Sequence, residues 1–153
     1  MRWLFTPLLL ALFITGASAH AAPGKVLKVL PQYLDLQGRA SLSPSLYDRD
    51  AYQAQLRAHP DQRSGLVFHV RWKAGDAGKR PLTVRVEARG VVRDKTASTV
   101  TLNQTLSQAG WLSQWTQFTV TGEQFKQLDT LTAWRATLWE GDNILSEYKS
   151  FLW

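Results

Sequence analysis

Large apolar and polar residues alternate in two runs near the end of the chain, on either side of residues 140–143. The residues between the two runs are Glu-Gly-Asp-Asn, which favour tight turns and tolerate positive φ angles. Alternation with a period of two is typical of a β-strand that buries one face. The pattern therefore predicts an antiparallel β-hairpin over residues 131–153.

The register of this hairpin can be predicted from where charge is tolerated, because a slip of one residue moves every side chain to the opposite face. If Leu138 shares a face with Ile144, that face contains no formal charge. The alternative register would bury Glu147 and Lys149 beside Trp134, which costs ~2 kcal/mol or more. We therefore expect Leu138 and Ile144 to face the core. The outer face then carries Arg135, Trp139, Leu145, Glu147, Lys149, Phe151 and Trp153.

The same alternation recurs upstream and predicts five more strands, near residues 25–36, 65–74, 82–89, 96–106 and 110–120. The polar connection between the first two contains a helix-forming run that begins after Ser45 and that Pro60 must end near Ala58. A short helical turn is expected at residues 121–128. Seven strands with turns between them and one short helical insertion predict an all-β antiparallel sandwich.

This arrangement resembles the immunoglobulin and fibronectin type III group of folds over the whole chain after residue 21. The resemblance is architectural, because the chain has no cysteine for an inter-sheet disulfide and no Tyr near the start of the sixth strand for a tyrosine corner. The segments SLYDRDAYQAQLR, WRATLWEG and KSFLW also resemble a family of small, uncharacterised exported bacterial proteins. That resemblance implies no particular activity.

The first 21 residues have the pattern of a secretory signal peptide. A basic head with Arg2 precedes an apolar run from Leu4 to Ile14, and small residues follow with cleavage expected after Ala19 or Ala21. The run is shorter than the ~20 residues that a membrane-spanning helix needs. Because the chain also has no cysteine, we expect a periplasmic or secreted protein with a single domain over residues 22–153 and no membrane span in the mature chain.

The chain is basic, with 18 Lys and Arg against 12 Asp and Glu and a formal net charge of +6, or +5 without Arg2. Residues 71–95 hold eight of the basic and three of the acidic side chains, so the excess is local. The simplest interpretation is a solvated surface, and the functional one is a patch for an anionic glycan, a lipid head group or an acidic protein. The modest charge and the exported location argue against nucleic acid as a partner.

No catalytic, cofactor or metal-binding motif is present, and we predict no catalytic residue, no cofactor and no metal. The histidines after the signal peptide, His59 and His69, lie outside any zinc or hydrolase pattern. A hydrolase stays an alternative if Glu87 and Glu147 meet His69 in one cleft, since paired carboxylates can cleave glycosidic bonds.

Surface aromatics and arginines are the remaining candidates for binding. If strands three, six and seven share a sheet, its outer face carries the partner-binding candidates Arg85, Arg89, Arg135, Trp139, Phe151 and Trp153. Aromatic rings stack on sugars or anchor protein interfaces, and Arg donates paired hydrogen bonds to carboxylates. A secondary patch on the other sheet comprises Arg71, Lys73, Trp111 and Trp115. The helical insertion could instead cover the two tryptophans with Tyr47, Tyr52 and Leu56.

The preferred hypothesis is a non-catalytic exported β-sandwich that binds a protein partner in the periplasm or cell envelope, as an accessory module. The alternative is a carbohydrate-binding module that uses surface Trp and Arg, and a hydrolase is the further alternative. The partner expected on these grounds is a protein or an anionic glycan of the cell envelope.

Overall fold

The computed structural model describes residues 24–75, 81–92, 96–106 and 112–153. Within these ranges the chain forms seven β-strands and two α-helices. Their bounds are β1 Lys25–Asp35, α1 Leu46–Ala58, β2 Arg63–Lys73, β3 Leu82–Val91, β4 Ala97–Leu106, β5 Gln114–Thr121, α2 Gly122–Leu128, β6 Thr130–Glu140 and β7 Asn143–Lys149. The predicted signal peptide, residues 1–21, and Trp111 lie outside the described residues.

The strands form two antiparallel sheets, which confirms the prediction of a predominantly antiparallel β-structure. One sheet has the order β1-β2-β5, and the other has the order β4-β3-β6-β7. Strands three, six and seven therefore share a sheet, so the outward side chains of β3 and β6 lie on one surface. No helix in the described part of the chain is both long and apolar enough to span a bilayer.

Inward side chains of both sheets form a single hydrophobic core. The three-stranded sheet contributes Val26, Val29, Leu66, Phe68, Val70, Trp72 and Val120, and the four-stranded sheet contributes Val84, Val86, Ala88, Val100, Ala136 and Leu138. Trp72 is almost fully buried, and its indole N–H donates to Thr116 Oγ1 at 2.9 Å. The one polar atom of this large ring is therefore satisfied inside the core.

Helix α1 covers the edge of β1 through a buried glutamine. Ser45 caps the helix, since its Oγ accepts from the Asp48 backbone N–H at 3.4 Å. The Gln53 side chain accepts from the Tyr33 N–H at 2.8 Å and donates to the Tyr33 and Ala40 carbonyls at 2.9 and 2.8 Å. The amide thus forms hydrogen bonds with backbone groups that an edge strand otherwise leaves unpaired.

A buried carboxylate fixes the loop between β1 and α1. Asp35 accepts from the Gln37 and Arg39 backbone N–H groups, from the Arg39 guanidinium and from the Tyr52 hydroxyl, at 2.7 to 2.9 Å. Burial acts to raise the pKa of Asp35, but the hydrogen bonds from Tyr52, Arg39 and Gln37 outweigh it and lower the pKa to about 2. The ionised form of Asp35 is therefore the one that holds this loop and α1 in place.

The C-terminal hairpin follows the predicted register in its middle and departs from it near the turn. Ala136 pairs with Tyr148 and Leu138 with Ser146, but a bulge follows between Leu138 and Trp139. Ile144 consequently pairs with Trp139 and is 54% exposed, while Leu145 packs against the core. The prediction that Ile144 faces the core and Leu145 faces outward is wrong, because the bulge adds one residue to β7.

Candidate functional site

Five of the six primary candidates come together on the outer face of the four-stranded sheet. Strand β3 supplies Arg85 and Arg89, β6 supplies Arg135 and Trp139, and the segment after β7 supplies Trp153. We call these five residues the arginine–tryptophan surface. The four residues on β3 and β6 face outward because the alternate positions of these strands are buried in the core.

The arginines of this surface stack on its tryptophans. The guanidinium carbon of Arg85 lies 4.6 Å from the centre of the Trp139 ring. Trp153 has two such neighbours, with Arg89 at 3.8 Å and Arg135 at 4.8 Å. Each exposed cation–π contact contributes about 0.5–1 kcal/mol. The stacking orders the long Arg side chains.

Two carboxylates neutralise Arg135. Its Nη2 lies 2.7 Å from Glu87 Oε2, and its Nη1 lies 3.4 Å from Glu147 Oε2. Glu147 also pairs with Lys149 at 3.2 Å. Arg135 therefore belongs to a local charge network and offers little free charge to a partner.

No described carboxylate forms an ion pair with Arg85 or Arg89. Arg85 Nε donates to the neutral Asn103 side chain at 2.7 Å, across the β3–β4 pair. Arg89 forms no ion pair within the described residues, and its neighbour is the Trp153 ring. The two guanidinium groups of this surface that form no ion pair with any described residue thus lie along one strand, four residues apart.

Phe151 lies in the turn that positions Trp153. Ser150 anchors this turn, since its N–H donates to the Trp134 carbonyl at 2.9 Å and its Oγ accepts from the Trp134 N–H at 3.0 Å. The Trp153 N–H in turn donates to the Ser150 carbonyl at 3.2 Å. Trp153 is half-buried beside its arginines, whereas Phe151 is 100% exposed. The expectation that Trp153 lies inside the last strand is wrong, because β7 ends at Lys149.

Three of the four secondary candidates, Arg71, Lys73 and Trp115, lie on the outer face of the three-stranded sheet, and Trp111 lies outside the described residues. Arg71 and Trp115 are direct partners across β2 and β5, and Lys73 is further along β2. Arg71 donates to Ser113 Oγ from Nε at 3.1 Å and from Nη2 at 2.9 Å. Trp115 is 51% exposed. This tryptophan is therefore on the surface.

Helix α1 does not form a second core over Trp115. Tyr47 is 82% exposed, and Leu56 is buried in the main core instead. Tyr52 donates its hydroxyl proton to Asp35. The alternative in which α1 covers Trp115 is wrong, because contacts of Gln53 and Tyr52 with β1 and its following loop determine where the helix packs.

A pocket of about 210 Å³ beside Trp115 was not foreseen. Leu30, Gln32, Arg49, His69 and Trp115 line it. Burial lowers the pKa of His69, and the positive charge of Arg49 lowers it further. The alternating pattern of β2 did place His69 on the outer face. No local pattern could have shown that Arg49, from α1, lies beside it.

The structure separates His69 from the two carboxylates of the hydrolase alternative, both of which contact Arg135. His69 lies on the outer face of β2, in the three-stranded sheet, while Glu87 and Glu147 lie on β3 and β7 of the other sheet. These three side chains do not line a common cleft. In the described ranges, no group of three or more His, Cys, Asp or Glu residues is arranged to hold a metal ion.

A second cleft, of about 320 Å³, lies at one end of the two sheets, and Arg63 is its most buried charged residue. The Arg63 guanidinium donates to the carbonyls of Leu56 and Arg57 and lies 4.1 Å from the centre of the Tyr33 ring. It therefore stabilises the C-terminal end of α1, where backbone carbonyls carry partial negative charge. These contacts give Arg63 a structural role.

No protein-family model matches the chain, and no curated protein matches it. A solved crystal structure of a protein from Akkermansia muciniphila is similar to it, with a TM-score of 0.50 and 9% sequence identity. The aligned region covers 84% of this chain and 69% of the other. At this identity the similarity concerns the fold alone.

Proposed function

We propose that the chain is an exported, non-catalytic β-sandwich of the immunoglobulin and fibronectin type III type that binds a protein partner in the periplasm or cell envelope. The strand order supports the fold assignment, because β1-β2-β5 corresponds to strands A, B and E, and β4-β3-β6-β7 to strands C′, C, F and G. The signal-peptide pattern of residues 1–21 supports export.

The arginine–tryptophan surface is the observation that carries the proposed binding function. Trp and Arg are the residues most enriched at the energetic centres of protein interfaces. Here Arg85 and Arg89 are held in place by Trp139 and Trp153, so binding immobilises fewer free rotamers. Such a surface fits a partner that presents carboxylates to the two guanidinium groups and an apolar contact to fully exposed Phe151.

Stacking on a sugar is less well supported on this surface. A pyranose ring needs an open aromatic face, and guanidinium groups lie over both Trp139 and Trp153. The hydrolase alternative has no support from a shared cleft, because His69 lies on the other sheet from Glu87 and Glu147. A protein partner is therefore the function that this surface fits best.

Co-purification from envelope extracts of the native host tests the proposal. The bait proteins are the wild type, the double variant R85E/R89E and, as a matched control on the other sheet, T119A. We expect one protein to be recovered with wild type and T119A, and at least tenfold less of it with R85E/R89E. Equal recovery with all three baits, or recovery with none, would count against the proposal.

A further inference from the structure

The pocket beside Trp115 combines residues of three strands with one residue of α1. Leu30 and His69 are partners across β1 and β2, and Trp115 lies on β5, diagonally across from His69. Arg49 reaches the same pocket from the first turn of α1. Side chains on three paired strands are held by the sheet, so their relative positions are fixed before any ligand binds.

Arg49 contributes a donor with an unmet hydrogen bond. Its Nε is buried and has no hydrogen-bond partner among the described residues. Buried polar groups are almost always hydrogen-bonded in folded proteins, so the Arg49 guanidinium is left with unused donor capacity beside the pocket that it lines. A guanidinium group is best matched by the two oxygens of a carboxylate.

The other polar groups of the pocket suit hydroxyl groups. Burial and the nearby charge of Arg49 both lower the pKa of the His69 imidazole, which favours its neutral form. A neutral imidazole offers one donor and one acceptor, as does the amide of Gln32 at its two ends. Hydroxyl groups of a sugar can donate and accept, so both side chains match them.

Trp115 supplies an open aromatic face. Its side chain is 51% exposed, and within the described residues no cation lies over its ring, in contrast to Trp139 and Trp153. The volume of about 210 Å³ is below the roughly 300–1,000 Å³ of sites for drug-sized ligands. The pocket is therefore of a size for a single sugar ring.

The charged side chains on the outer face of the sheet around the pocket are all basic. Lys25, Lys28, Arg71 and Lys73 point outward from β1 and β2, and none of them forms an ion pair in the part of the chain that the structure describes. No Asp or Glu occupies an outward position in this part of the sheet, which comprises residues 25–34 of β1, 67–73 of β2 and 115–119 of β5. A surface of one sign attracts an anionic chain and can contact units beyond the one in the pocket.

We propose that this pocket binds one uronic acid residue of an anionic glycan. Trp115 stacks on the pyranose ring, Arg49 binds the carboxylate, and His69 and Gln32 bind ring hydroxyls. The flanking Lys28 and Arg71 bind carboxylates of neighbouring units. The site is on the sheet opposite the arginine–tryptophan surface. The glycan proposal and the proposed protein partner can therefore be tested separately.

Isothermal titration calorimetry of the protein expressed from the full chain tests this site, with tetragalacturonate as the probe. Its methyl ester has the same rings without the charges, and tetraphosphate has negative charges without the rings. We expect tetragalacturonate to bind, and the methyl ester and tetraphosphate to bind at least tenfold more weakly.

The variants W115A and R49Q should each weaken tetragalacturonate binding at least tenfold, and W115F should lose less than W115A. The matched control Y47A removes an exposed aromatic of α1 that does not line the pocket, so it should bind as the wild type does. Thermal unfolding of each variant checks that the fold is retained, and Trp115 is exposed enough for W115A and W115F to fold. Absence of binding, equal binding of tetraphosphate, or wild-type affinity in both W115A and R49Q would overturn the proposal.

Discussion

The guanidinium of Arg89 lies 3.8 Å from the centre of the Trp153 ring. The first residue is near the end of β3 and the second follows β7, and the two strands are separated by β6 in the sheet. The contact therefore spans the outer face and ties the C-terminal turn to the sheet. It also connects stability with the proposed function, because the same ring orders an arginine that we assign to partner binding.

Removing the Trp153 ring should lower the free energy of unfolding. W153A loses two cation–π contacts and half-buried apolar area, and we expect a decrease of about 1–2 kcal/mol in urea denaturation. F151A is the matched control, because Phe151 is 100% exposed and surface substitutions usually change stability by less than about 0.5 kcal/mol. Equal losses in the two variants would contradict the stacking role of Trp153.

The bulge in β7 predicts unequal roles for two adjacent apolar residues. Leu145 packs against the core, whereas Ile144 is 54% exposed. We expect L145A to lower the free energy of unfolding by about 1–2 kcal/mol and I144A by less than about 0.5 kcal/mol. Chemical denaturation of the two variants checks this. A larger loss of stability in I144A than in L145A would contradict the bulge and support the register in which Ile144 faces the core.

Gly90 should not tolerate a side chain. A Cβ atom at this position would lie 2.2 Å from the Leu128 carbonyl oxygen, which is backbone and cannot rotate away. We expect G90A to lower the free energy of unfolding by about 3 kcal/mol or more, because β3 must separate from the end of α2.

Gly38 provides the comparison for G90A. It has a φ of +76°, and apart from its chain neighbours no described atom lies within 4 Å of the place that a Cβ would take, so G38A should cost only the backbone strain of about 1 kcal/mol. Denaturation of both variants should therefore show a larger loss for G90A. A G90A variant as stable as G38A would show that β3 and α2 are not in close contact.

Acid should weaken the attachment of the loop after β1 and of α1. The pKa of Asp35 is lowered from 3.8 to about 2, so its ionised form stabilises the fold above pH 3.8, and this contribution is lost as the pH falls toward 2. Replacing the carboxylate in D35N should cost about 2 kcal/mol at pH 6, since several charge-assisted hydrogen bonds weaken.

Urea denaturation at pH 6 and at pH 2.5 measures the acid effect. The loss of stability between the two pH values should be smaller in D35N than in the wild type, because the variant has no carboxylate to protonate at this position. D50N, in an exposed position of α1, should behave as the wild type does. If D35N and the wild type lose the same stability on acidification, Asp35 does not hold the loop in its ionised form.

Much of the sheet surface could be predicted from the sequence, because alternation assigns each strand residue to a face. Arg85 and Arg89 were expected outward from β3, and they are outward because Val84, Val86 and Ala88 are buried between them. The pattern could not show that Arg89 stacks on Trp153. That contact depends on the turn at residues 150–153, whose conformation is set by hydrogen bonds to β6.

Two features, the bulge in the C-terminal hairpin and the pocket beside Trp115, could not be predicted from the sequence. The bulge between Leu138 and Trp139 is not marked by a Gly or Pro in either strand. The pocket depends on where α1 packs, and contacts of Gln53 and Tyr52 with β1 and its loop decide that. Polar contacts between distant segments produce no periodic pattern of apolar and polar residues, so the sequence does not reveal them. Arg49 was therefore not recognised as a site residue.

Site-specific photo-crosslinking in the envelope of the native host tests the central claim most directly. A photoreactive residue is placed at Ile144, which pairs with Trp139 on the outer face of the four-stranded sheet, or at Thr119 on the opposite sheet. The proposed function predicts one discrete protein adduct from position 144, its loss when R89E is added, and no such adduct from position 119. No adduct from position 144, or one that R89E leaves unchanged, would contradict the assignment of the arginine–tryptophan surface as the partner-binding site.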